Sequence, residues 1–163
     1  MSIKLLDQSV WPEIIRIQAQ VYVDIEPESL DVLQSKWHFS PECCFVYQPS
    51  HSVLGYLLAH AWYAPTLPKL YQVLPTVRVD SQPILFLHDL AIAPHAAGKG
   101  IGVQMVNNLL SVAARLDFET VNLVSVQESA GFWRKMGFIP VNGILACPSY
   151  GDGATVMEYR VKS

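Results

Sequence analysis

No apolar run in this sequence reaches the ~18 residues that a membrane span needs. The first residues, Met1 to Asp7, lack a basic segment followed by an apolar one, so a secretion signal is not expected. Charge is sparse, with Asp, Glu, Lys and Arg making up 15% of the chain. The 11 basic residues are scattered, and the net charge is −3. No basic stripe is available for a phosphate backbone, so nucleic acid is not an expected partner. Cysteine is scarce too: Cys43, Cys44 and Cys147. An odd count without C-x-x-C spacing supports neither a disulfide framework nor a zinc site. The thiols read as reduced structural residues of a cytoplasmic protein. Internal repeats and low-complexity tails are missing as well.

What is present is apolar material. Hydrophobic residues make up 51% of 163. That supports a sizeable core in one domain over residues 1–163 and argues against disorder.

The pattern predicts a strand at Ile3–Leu6 and a helix over Trp11–Val23, with Pro12 in its first turn. A second helix is expected over Pro27–His38, with Leu30, Leu33 and Trp37 on one face. Cys43–Tyr47 and Val53–Trp62 read as a hairpin. Tyr63–Pro83 holds four prolines and no clean period. A structureless stretch of that length in a small domain is often functional, and it leads into the central strand.

That strand, Ile84–Ile92, is nearly continuous apolar sequence interrupted by His88 and Asp89, as in a strand buried on both faces. A helix follows over Gly100–Leu116, with Met105, Leu109, Val112 and Leu116 along one side. Further elements are a strand at Thr120–Val126, a helix at Ser129–Met136 stopped by Gly137, and strands at Phe138–Val141, Ile144–Cys147 and Thr155–Val161. Gly151-Asp152-Gly153 reads as a turn before the last strand.

Between strand and helix lie Gly98, Gly100 and Gly102. A glycine loop opening a helix is a place to hold a phosphate, because the free N–H groups and the dipole of the first turn favour an anion. The loop is not a P-loop, since Gly98-Lys99 is followed by Gly100 and Ala93 takes the first glycine position. It is not a dinucleotide fingerprint either, since Val103 or Met105 falls where the last glycine belongs.

At these residues the sequence resembles the GCN5-related N-acetyltransferases. Leu90-Ala91-Ile92-Ala93-Pro94 leads into Ala97-Gly98-Lys99-Gly100-Ile101-Gly102, similar to the family's central motif of apolar strand, proline, Arg or Gln, and spaced glycines. Phe132-Trp133-Arg134-Lys135-Met136-Gly137-Phe138 is similar to a second motif, aromatic-x-x-x-Gly-Phe, one helix and one strand later. The resemblance covers residues 84 to 140. It implies an α/β (α+β) acyltransferase fold, with a mixed, mostly antiparallel sheet of six to seven strands and about four helices.

It also implies acetyl-CoA as co-substrate and no metal. The pyrophosphate would rest on the N–H groups of Gly98, Lys99, Gly100, Ile101, Gly102 and Val103. The pantetheine arm would pair like a strand with the backbone of Leu90, Ala91 and Ile92. A bulge in the strand at 84–92 would open these groups, and that strand and the one at 120–126 would splay to admit the arm. Gln127 and Ser129 could hydrogen-bond the arm, and Ser129 is equally suited to cap a helix. Two residues depart from the pattern. Ala97 stands at the Arg or Gln position. Trp133 stands where the family has Tyr: it can wall the acyl pocket, but an indole cannot act as a phenolic acid.

Acetyl transfer to an amine needs a base for the amine proton. His88 is the first candidate, since an imidazole titrates near neutrality. Leu87-His88-x-Leu90-Ala91 is similar to a strand of arylalkylamine N-acetyltransferases in which a histidine removes that proton, although Phe86 replaces a second histidine. Asp89 would face away from His88 in a regular strand. Tyr150 carries the phenol that could replace the missing acid. Trp37, Trp62, Tyr63 and Tyr71 are candidates for an apolar acceptor site or for core. His38, His51, His60 and His95 show no metal spacing and read as surface or packing residues. The expected activity is direct acetyl transfer to a small-molecule primary amine, with a homodimer compatible and no membrane partner. The alternatives are a protein N-terminal or lysine acetyltransferase and an acyl-CoA-binding sensor.

Overall fold

The computed structural model describes residues 2–24, 26–63, 68–74, 83–126, 129–141, 150 and 153–161. Among them are seven strands and four α-helices in the order β1 (Ile3–Leu5), α1 (Trp11–Val21), α2 (Leu30–Phe39), β2 (Phe45–Tyr47), β3 (Gly55–Trp62), β4 (Ile84–Ile92), α3 (Ile101–Arg115), β5 (Thr120–Ser125), α4 (Ala130–Lys135), β6 (Ile139–Pro140) and β7 (Thr155–Arg160). The strand expected at 144–147 lies outside the described residues, as does most of the turn expected at 151–153.

One sheet holds all seven strands in the order β1-β2-β3-β4-β5-β7-β6. Neighbours are antiparallel except β4 and β5, which run parallel. The helix α3 links that pair, as a parallel connection requires a crossover. The β4–β5 ladder is short: only Leu85 and Phe86 pair, with Val121 and Asn122. Beyond them the two strands part, while β5 stays paired with β7 from Thr120 to Ser125.

Each face of the sheet carries a core. On one face α3 buries Met105, Val106, Leu109, Val112 and Ala113 against Leu57, Leu85, Leu87 and Leu123. Leu116, expected in that stripe, is the helix's C-cap and is 39% exposed. On the other face α1 and α2 bury Trp11, Ile14, Ile17 and Leu33 against Tyr56, Leu58 and Ala91. The expected face of α2 needs correction. Ser29 caps the helix by accepting a hydrogen bond from the Val32 N–H, at 3.3 Å, so the helix starts at Leu30 rather than Pro27. Val32, Leu33 and Lys36 then point inward, and Leu30 is exposed.

Cys43 and Cys44 are buried on opposite faces, one in each core. Burial pushes the Cys43 thiol up to about 12 and the Cys44 thiol higher still, so both stay protonated at neutral pH and neither is poised as a nucleophile.

Candidate active site

The site is built on an irregularity in β4. Leu58 pairs with Asp89 and Ala59 with Leu87, so His88 is an extra residue without a partner in β3. This is a β-bulge. It reverses the alternation of the strand. Before it, Leu85 and Leu87 face the α3 core; after it, Leu90 and Ile92 pack on that side and Ala91 and Ala93 face the α1–α2 core. His88 and Asp89 therefore emerge on the same face. The expectation that they point apart holds only for a regular strand and is corrected here.

Asp89 is buried and accepts two phenolic hydrogen bonds, from Tyr22 at 2.6 Å and from Tyr56 at 2.7 Å. Burial raises its pKa, while His88 and the two hydroxyls work in the opposite direction. Tyr22 and Tyr56 are pushed well above the usual phenol range, by burial first and by the Asp89 charge next. These hydroxyls keep their protons and serve as donors. Tyr22 also approaches the Leu90 carbonyl at 3.2 Å.

His88 has a different partner. Its Nε2 lies 2.5 Å from Glu28 Oε1, and the two side chains are 1% and 7% exposed. Glu28 sits just before the cap of α2 and is held on every side. Its backbone N–H donates to Gln18 Oε1, the Gln18 amide donates to its carbonyl, and the Tyr71 N–H donates to Oε2. Burial acts to raise the Glu28 pKa. His88, the Tyr71 N–H and Lys36 together outweigh it, and the net shift is downward. A carboxylate so held can only accept, so His88 Nε2 carries a proton, and in the neutral ring Nδ1 is the nitrogen left with the lone pair. Nδ1 is buried and has no hydrogen-bond partner among the described residues.

Two cavities meet at this imidazole. One is a cleft of about 860 Å³ where β4 and β5 part, lined by Leu87, Leu90, Leu123, Gly102, Ser129 and Trp133 among others. The second, of about 490 Å³, lies toward α1 and the 68–74 segment and is lined by Gln18, Glu28, Leu70, Tyr71 and Tyr150 among others. Tyr22, His88, Asp89, Val124 and Val126 belong to both walls.

The glycine loop leads into the first turn of α3, where Gly102 lines the cleft. Gly98 and Gly100 have φ of +79° and +78°, a conformation that favours glycine, and Gly100 is the N-cap of α3 with no side-chain cap. The N–H groups of the first turn, from Ile101 to Val103, have no partner within the helix. Lys99 is exposed beside them, as is Ala97. Gly102 faces Phe132, whose ring lies 3.4 Å from where a Cβ would stand. Across the cleft, the Ser129 hydroxyl donates to the Val126 carbonyl at 2.7 Å and meets the Ser125 hydroxyl at 3.1 Å, and it makes no cap bond. Trp133 is buried edge-on against Phe132 and Phe138. The Ala91 side chain is buried in the α1–α2 core.

Tyr150 lines the second cavity, and its hydroxyl donates to the Pro68 carbonyl at 3.2 Å. Gln127 lies outside the described residues. Of the aromatic residues considered for an acceptor site, Tyr71 lines the second cavity, Trp37 packs on Trp11 at 5.7 Å, and Trp62 packs on His60 at 6.0 Å. His60 is fully buried as a packing residue, and burial lowers its pKa far below the usual range.

Sequence reasoning missed Glu28, Tyr22, Lys36 and Tyr56. Lys36 is fully buried, donates to the Gln72 carbonyl at 3.0 Å and has its pKa lowered by burial. In the sequence Glu28 is one of several acids near a helix start. Only its burial sets it apart, and burial is not a local property.

The family model for the acetyltransferase (GNAT) family matches residues 11–138. No protein of curated function matches the chain in sequence. Among solved structures the chain is similar to GphF, a GNAT-like decarboxylase in complex with isobutyryl-CoA, at 16% identity over 99% of this chain and 100% of that chain, with a TM-score of 0.79. It is similar to Ard1 from Thermoplasma volcanium, at 18% identity over 99% of this chain and 97% of that one, with a TM-score of 0.76. It is also similar to the ribosomal-protein-S18-alanine N-acetyltransferase from Escherichia coli, at 16% identity over 99% of this chain and 94% of that one, with a TM-score of 0.68. At such identities these likenesses establish a shared fold.

Proposed function

The chain belongs to the acetyltransferase (GNAT) family, and from that premise we propose that it transfers an acetyl group from acetyl-CoA to the primary amine of a small molecule, with His88 as the base. The observation that carries this reading is the unpartnered Nδ1 of His88, on an imidazole that forms part of the wall of both cavities.

The residues present fit acetyl-CoA. The parted strands leave a cleft between β4 and β5. Nothing lies within 4 Å of a Cβ placed on Gly98 or Gly100, so an anion can approach the backbone there. The N–H groups of Gly98–Val103 would hold the pyrophosphate with Lys99 adding charge, and the backbone of Leu90, Ala91 and Ile92 would hold the pantetheine arm beside Ser129. Trp133 walls the acyl end. When bound, acetyl-CoA supplies an activated acyl group, which passes from sulfur to nitrogen as the amine gives up a proton.

His88 receives that proton at Nδ1 and, belonging to both cavities, is placed to return it on the sulfur side. Glu28 holds Nε2–H and so keeps the lone pair on Nδ1; it is a positioning residue. Tyr150 stands on the acceptor side, where it shapes the pocket, and His88 takes the proton-donor duty that a tyrosine at position 133 would otherwise serve.

The test is thermal stabilisation by acetyl-CoA, followed by CoA release across a panel of amines. Stabilisation with turnover on at least one small amine is expected. No stabilisation would sink the reading. Stabilisation without turnover on any amine would favour an acyl-CoA sensor, the role that the departures at Ala97 and Trp133 leave open. Turnover confined to peptides would move the activity to protein N-termini or lysines.

A further inference from the structure

The second cavity shows more than where an acceptor would lie. Resting on the reading above, we propose that this pocket selects a primary amine borne on a compact apolar body with no anionic group. Its walls combine two kinds of surface. Leu70, Val124, Val126 and Pro27 are apolar, and the rings of Tyr22, Tyr71 and Tyr150 complete an aromatic lining. The carboxyl and imidazole groups in the walls are those of Glu26, Glu28, Asp89 and His88, with no Lys or Arg among the described lining residues.

An acidic cluster alone would mean little, because such clusters are often only solvated surface. Here the pocket also contains His88, whose side chain is 1% exposed and whose Nδ1 has no partner among the described residues. A buried polar atom of this kind calls for a hydrogen-bonding group. An amine nitrogen delivered to Nδ1 meets that need; the carboxylates attract it as a cation, which gives its first proton to solvent before His88 takes the second at transfer. Charge discriminates further. Glu28 stays ionised, Glu26 stands exposed at the rim, and Asp89 is fully engaged by Tyr22 and Tyr56. Lys36 is committed to the Gln72 carbonyl, and its amine is not part of the wall. An amine that also carries a carboxylate would bring that charge into an acidic pocket without a described cation to receive it.

The experiment compares a matched trio: 2-phenylethylamine, phenylalanine amide and phenylalanine. They share one apolar body, and only the last carries an acid. A short peptide and glutamate complete the set. Each is titrated calorimetrically into the protein in the presence of CoA, and each is assayed for acetyl-CoA-dependent thiol release. The first two compounds are expected to bind and react within about tenfold of each other. Phenylalanine and glutamate are expected to be at least about 100-fold weaker in both measurements. Glu26→Gln, at the exposed rim, should shrink the ratio of amide to phenylalanine affinity several-fold.

Phenylalanine matching its amide, a preference for glutamate, a preference for the peptide, or no binding by any acid-free amine would each overturn the inference. Failure of the broader reading looks different: acetyl-CoA then fails to bind, or no acceptor of any class releases CoA.

Discussion

Glu28 and His88 stand 60 residues apart in sequence, and their side chains meet at 2.5 Å inside the protein. The carboxylate comes from the approach to α2 and the imidazole from a bulge in β4. Their contact fixes which ring nitrogen holds the proton, and with it which nitrogen is left to accept one.

His88→Ala should lower kcat by about 10² to 10⁴, the usual contribution of a positioned general base. Acetyl-CoA affinity should change by less than about threefold, because the cofactor contacts proposed here are backbone groups around Gly98–Val103 and Leu90–Ile92. Steady-state kinetics and calorimetry on the same preparation check both halves. Unchanged kcat would remove His88 from the base role.

Glu28 bears on stability as well as activity. Its pKa is lowered in the folded protein, so its contribution is present above the ordinary carboxylate value of 4.5 and is lost as pH falls through the lowered folded value. Urea midpoints measured from pH 6 downward should therefore fall in the wild type, and Glu28→Gln should show a smaller fall below pH 4.5. Glu28→Asp should restore part of the kcat that Glu28→Gln loses, since it keeps the charge at a shorter reach.

Asp89 carries the opposite sign. Its folded pKa is raised, chiefly by burial, so the folded protein holds this proton more tightly than the unfolded chain does. The group's contribution is greatest below the unfolded value of 3.8 and declines as pH rises through the folded value. Asp89→Asn removes that decline, so the variant should lose less stability than the wild type between pH 4 and neutrality. One tyrosine hydroxyl can still donate to the amide oxygen, and the other can accept from the amide NH2. A pH series of thermal midpoints checks the slope.

Gly100→Ala tests the loop. At φ +78° an alanine costs about 1–2 kcal/mol of backbone strain, and the open space around the position means that no clash adds to it. The melting temperature should fall accordingly. Acetyl-CoA affinity should weaken further, since relaxing the strain turns the first N–H groups of α3.

Ala97→Arg should do the reverse for the cofactor. The position is exposed beside the glycine loop, so a guanidinium can reach an anion there with little structural cost. Acetyl-CoA should bind several-fold more tightly, with a steeper dependence on salt. An unchanged affinity would place the pyrophosphate elsewhere.

Element order, the two aliphatic faces of the sheet and the phosphate-type loop were legible in the chain, because each is a local pattern. The strand Ile84–Ile92 shows it well, since its apolar run marks both ends as observed. Alternation, helical spacing and glycine conformation act over a few residues, and a sequence displays them directly. Tertiary structure decided the chemistry. No local signal marks one extra residue in β4, yet the bulge turns Asp89 to the side of His88 and switches the faces that follow. Glu28 resembled any acid near a helix cap until folding buried it against an imidazole from a distant strand. Burial, register and the meeting of remote side chains depend on the whole packed chain. The sequence by itself therefore determined the fold class and the loop suited to a phosphate, and only the packed structure decided which nitrogen of His88 is left free and what faces it.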